Sequence, residues 1–67
     1  MTAPKYPDVH VRLTGRDGNA FMVLGTVLAA LKRAGVTQPE REAFRAEAMS
    51  GDYDHLLATA MRWVEVE

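Results

Sequence analysis

The hydrophobic pattern of this chain changes period twice. From Asp8 to Thr14 it alternates, with Val9, Val11 and Leu13 on one side and His10, Arg12 and Thr14 on the other. That is the period-two signature of a half-buried strand. From Ala20 onward the apolar residues recur at three- and four-residue spacing. Ala20, Phe21, Val23, Leu24, Val27, Leu28, Leu31 and Ala34 form one broad stripe, which predicts a helix running to about Arg33. Gly35 stands where that helix stops, and Lys32 and Arg33 occupy its last turn, where cations complement the helix dipole. A turn over Gly15–Gly18 joins strand to helix, with Asp17 or Asn19 as the N-cap.

Thr37-Gln38-Pro39-Glu40 has the form of a capping box, with proline tolerated in the first helical turn. It opens a second helix to about Met49, in which Phe44 is the one large aromatic anchor and alanines fill much of the rest. Ser50-Gly51-Asp52 breaks that helix and caps a third, from Tyr53 to about Arg62, with Leu56, Leu57, Ala60 and Met61 as its buried face. Trp63–Glu67 alternates again and predicts a short second strand. Residues 1–7, with Pro4 and Pro7, read as a disordered or extended lead-in. The expectation is a single α+β domain over residues 8–67 in the order β-α-α-α-β. A small two-stranded sheet is covered by three helices, and their reversals bring the strands together in parallel.

Size adds a constraint that the pattern does not. A chain of 67 residues makes one domain, and such a domain buries only about 60% of its unfolded surface. Cysteine is absent, so neither disulfides nor thiolate zinc sites can help. The two histidines, His10 and His55, lie far apart in sequence, which argues against a structural metal. Self-association remains. Two strands make a weak sheet and leave open edges. Met22, Gly25, Thr26 and Ala29 lie opposite the core stripe of the first helix, where small residues admit a close neighbour and a methionine adapts to it. A homo-oligomer, dimer or higher, is expected.

Eight basic and nine acidic residues give a formal net charge of −1, which opposes a role in binding nucleic acid polymers. Residues 1–7 lack the apolar core of a signal peptide, and the Ala20–Leu31 run is too short to span a bilayer. A cytoplasmic protein is expected, without membrane partner or cofactor. Nucleophile-elbow and His-Glu-x-x-His motifs are missing, so the sequence points away from an enzyme.

Two polar clusters carry what chemistry there is. At the first, Arg16, the Gly18 backbone and Asn19 stand at a helix N-terminus, where free N–H groups attract anions. Asp17-Gly18 is equally an ordinary turn with an ordinary cap, and Asp17 repels an anion. At the second, Asp52, Tyr53, Asp54 and His55 share one helical turn. Asp52 and His55, three apart, are spaced to meet as an acid–base pair, against the more frequent outcome in which Asp52 simply caps the helix. Trp63 is either a stacking platform or, the favoured reading for so short a chain, part of the core.

With Asp17-Gly18-Asn19-Ala20-Phe21 and Ser50-Gly51-Asp52-Tyr53-Asp54-His55-Leu56-Leu57 both intact, the chain resembles a family of small, largely uncharacterised proteins of bacteria, plasmids and phages, from Val9 to Val66. The resemblance implies no activity or cofactor. It marks the starts of the first and third helices as the characteristic positions, which could approach each other or face a second copy. Together these readings give a non-catalytic binding protein that acts as an oligomer and blocks or sequesters a host protein. The alternatives are a sponge for a small anionic ligand such as a nucleotide, held by Arg16, Gly18, Asn19, Tyr53 and His55, and an accessory protein with no ligand.

Overall fold

The chain folds as β1 (Tyr6–Val11), α1 (Ala20–Arg33), α2 (Gln38–Ala48), α3 (Tyr53–Trp63) and β2 (Val64–Val66), seen in a computed structural model that describes residues 3–13 and 20–67. The two strands pair in parallel, with Tyr6 opposite Val64, His10 opposite Glu65 and Val11 opposite Val66. The α+β order and the parallel direction are those expected. The strand boundaries differ, because β1 begins two residues before Asp8 and ends at Val11 rather than Thr14. Main-chain pairing is the reason. Lys5 N–H donates to the Arg62 carbonyl at 2.9 Å, and Glu67 N–H donates to the Val11 carbonyl at 2.8 Å. The register is irregular between Tyr6 and His10, where Pro7 has no N–H to contribute to a ladder.

Val9, Val11 and Val64 turn from the sheet into a core completed by Val27, Leu31, Phe44, Leu56, Ala60 and Trp63. Leu13 continues the inward side and is partly buried against it; Thr14 lies outside the described residues. On α1 the buried residues are Val23, Leu24, Val27, Ala30 and Leu31. The expected stripe was too broad at its ends: Phe21 is 77% exposed, and Ala20 and Ala34 are also at the surface. The first turn of α1 stands at the rim of the helical layer, beside Met49 and Tyr53, and so escapes full burial. On α3 the buried positions are Leu56, Thr59, Ala60 and Trp63. Leu57 is only partly buried and Met61 is 63% exposed, so the inward face is turned one residue from the one expected. Thr59 tolerates full burial because its hydroxyl donates to the His55 carbonyl at 2.8 Å.

The helix ends show which local signals held. Gly35 terminates α1 at φ 87°. Its N–H donates to Lys32 O at 3.1 Å, and Val36 N–H donates to Leu31 O at 3.0 Å, a Schellman closure that favours glycine. The capping box at Thr37 does not form: Thr37 makes no side-chain cap bond. Glu40 instead takes charge-assisted bonds from residues before and within β1, which outweigh a neutral cap. Trp63 ends α3 rather than opening the last strand, and it is buried, as the core reading expects. The proposed N-caps Asp17 and Asn19 lie outside the described residues.

Candidate functional site

The first turn of α1 meets the α2–α3 connection at a cleft of ≈ 140 Å³. Phe21 and Leu24 form one wall, Met49 the rim, and Asp52, Tyr53 and Leu56 the other wall. The first turn of α1 and the start of α3 therefore line one cleft. Tyr53 lines the cleft, whereas Arg16, Gly18 and Asn19 lie outside the described residues. Among the described residues the walls are mainly apolar, and the carboxylate on them is Asp52.

His55 takes a different role from the one first considered. Its ring turns back to the end of α2, with Nε2 2.9 Å from Glu47 O and 3.0 Å from Ser50 Oγ. The Ser50 hydroxyl itself donates to Glu47 O at 2.7 Å. A carbonyl can only accept, so the short Nε2 contact requires a hydrogen on Nε2. That nitrogen is then no base for Ser50, and the trio closes the end of α2 rather than forming a nucleophile–base pair. Asp52 does not meet the imidazole either; its Oδ1 accepts the His55 backbone N–H at 2.9 Å as the N-cap of α3. Gly51 is required by this fit, because a Cβ there would stand 2.8 Å from the Cβ and Cγ of His55.

A second polar cluster joins the start of the chain to α2 and the end of α3. Lys5 Nζ lies 2.8 Å from Glu40 Oε1, and the Tyr6 hydroxyl donates to the same oxygen at 3.0 Å. Those bonds, the one from Lys5 first, hold the Glu40 carboxyl below its ordinary value. Glu47 accepts from Arg62 at 2.8 Å and from Trp63 Nε1 at 3.3 Å, and the Arg62 bond is the leading cause that lowers its pKa. Trp63 contacts Phe44 edge-on at 5.4 Å between centroids and Tyr6 at 5.9 Å. No spacing rule signals this cluster, since Tyr6 and Glu40 stand 34 residues apart.

The outer face of α1 carries the residues named for self-association. Met22 is 60% exposed, Gly25, Thr26 and Ala29 are at the surface, and a Cβ added at Gly25 would meet nothing within 4 Å. The outer face of the sheet is polar, with Asp8, His10 and Glu65 exposed and His10 Nδ1 3.4 Å from Glu67 Oε2. Among the described residues no three histidine, cysteine, aspartate or glutamate side chains gather as metal ligands. No described helix is long and apolar enough to cross a membrane. Comparison with protein-family models, with curated proteins and with solved structures gives no match to this chain.

Proposed function

We propose that this is a small, non-catalytic binding protein of the cytoplasm that self-associates and blocks a host protein by covering part of its surface. The observation that carries this reading is the apolar rim at the meeting of α1 and α3. Phe21 is 77% exposed and Met49 50%, at the cleft that Leu24 and Leu56 also line. Single exposed apolar residues are ordinary, but apolar side chains gathered at one place mark an interaction surface, and these two line the same cleft. The ≈ 140 Å³ cleft matches one inserted side chain, whereas small-molecule pockets typically hold about 300–1,000 Å³. The size of the cleft favours an inserted side chain over a nucleotide. The small-residue face at Gly25 and Ala29 supports a second copy packing on α1, next to that rim rather than over it.

Light scattering at micromolar concentration tests the assembly: at least a dimer mass is expected, falling to one chain in Gly25→Arg. A monomer mass for the wild type removes the oligomer. Affinity capture tests the partner: a host protein held by the wild type and lost with Met49→Asp is expected. A thermal shift induced by mono-, di- or cyclic nucleotides and abolished by Arg16→Ala would replace the protein partner with an anionic ligand.

A further inference from the structure

The cations of the described chain are divided. Lys5 and Arg62 each pair with a carboxylate around Trp63, at 2.8 Å in both cases. Lys32, Arg41 and Arg45 pair with no carboxylate among the described residues, yet they border one groove of ≈ 290 Å³ between α1 and α2. Its apolar floor is Leu28 and Ala29. Arg41 and Arg45 are four apart on one face of α2, a like-charge spacing that costs a helix a few tenths of a kcal/mol. Arg41 is partly buried, and its Nη1 donates to Val36 O at 2.6 Å, which holds the guanidinium in place. Glu42, the one carboxylate on the groove among the described residues, accepts from Gln38 at 3.2 Å and not from any of the three cations.

From this we infer that the α1–α2 groove binds an acidic protein segment, one that offers carboxylates to Arg41, Arg45 and Lys32 and an apolar side chain to Leu28 and Ala29. A guanidinium fixed by a main-chain carbonyl is prepared for the paired hydrogen bonds of a carboxylate. The apolar floor adds a contact that an inorganic anion or a sugar-phosphate backbone does not use. A net charge of −1 supplies no long-range attraction for a polyanion, so recognition has to be local. The groove shares no residue with the cleft at the start of α1, but it does share Ala29 with the face proposed for a second copy, so a copy packed over Ala29 would compete with the acidic segment.

The test is an isotope-labelled titration of the full chain with a short synthetic peptide repeating Glu-Glu-Leu, its Gln-Gln-Leu counterpart, a thymidine oligonucleotide and inorganic phosphate. The acidic peptide should shift the amides of Lys32, Arg41 and Arg45. Its affinity should fall about tenfold or more in the double variant Lys32→Glu with Arg45→Glu, and should weaken with added salt. Both side chains are exposed, but they stand in the last turns of α1 and α2, where a reversed charge opposes the helix dipole. The melting temperature should therefore fall modestly in the reversal; Lys32→Gln with Arg45→Gln, which adds no opposing charge, must still weaken binding. Met49→Asp must leave peptide affinity intact, which keeps this test apart from that of the cleft. Equal binding of the uncharged peptide, indifference to the reversal, or tighter binding of the oligonucleotide or phosphate overturns the inference.

Discussion

The Lys5 ammonium lies over the face of Trp63, with Nζ 4.4 Å from the ring centroid, while the same nitrogen pairs with Glu40 at 2.8 Å. One cation thus joins the residue before β1 to α2 and to the last residue of α3. The indole beneath it is buried and touches Phe44, which is fully enclosed. Removing such a ring typically costs about 3–5 kcal/mol. A domain of this length has roughly 3–10 kcal/mol in total. Trp63→Ala is therefore expected to leave the chain largely unfolded, and Trp63→Phe, which keeps a ring on Phe44, to remain folded with a lower midpoint. Urea titration followed by circular dichroism measures both.

Acid should unfold the protein through two named carboxylates. Glu40 and Glu47 have folded pKa values below the ordinary 4.5, chiefly because of the bonds from Lys5 and Arg62 respectively. A depressed value means that the folded state holds its proton less tightly than the unfolded chain. The stabilisation is complete above 4.5 and is lost as pH falls through the folded values. Glu40→Gln with Glu47→Gln should flatten the fall in melting temperature below pH 4.5, at the expense of stability at neutral pH. An unchanged acid slope would mean that other groups set it.

Two glycines should respond to alanine in opposite ways. Gly35 sits at φ 87°, where a side chain is strained however much space surrounds it, so Gly35→Ala should cost about 1 kcal/mol or more. Gly25 is inside α1 with open space around it, so Gly25→Ala should raise folding stability by about 0.5–1 kcal/mol. If a second copy packs on that face, the same change should weaken association, and comparing melting at high dilution with sedimentation at micromolar concentration separates the two effects.

The contact between Gly51 and His55 should be equally sensitive. Gly51→Ala places a methyl group 2.8 Å from Cβ and Cγ of His55 and must displace the ring, releasing its bond to Glu47 O and costing about 1–2 kcal/mol. In the wild type, nitrogen-detected NMR at neutral pH should find the hydrogen of the neutral ring on Nε2. Finding it on Nδ1 alone would contradict the cap at the end of α2.

Much of this was legible because it depends on near neighbours. The alternation of Val9, Val11 and Leu13, the apolar recurrence through Val23, Leu24, Val27 and Leu31, and the Gly35 stop are short-range facts of strand and helix geometry. The Asp52 cap was readable for the same reason. The errors lie where distant segments compete for a side chain. Glu40 leaves the Thr37 capping box for Lys5 and Tyr6, and the burial of Thr59 in place of Met61 follows from how α3 is rotated against α2 and the sheet. The basic groove was equally invisible, since Lys32 and Arg45 become neighbours only once α1 and α2 lie side by side.

The amino-acid sequence alone determined the element order, the strand and helix periods, the Gly35 stop of α1 and the Asp52 cap of α3, because each depends on residues within about one helical turn of one another. Tertiary structure decided how each helix was rotated, which carboxylate answered which cation, and that the starts of α1 and α3 share one cleft. Those outcomes are set by packing and by charge-assisted bonds between segments far apart in the chain, whose energies exceed the local preferences they displace.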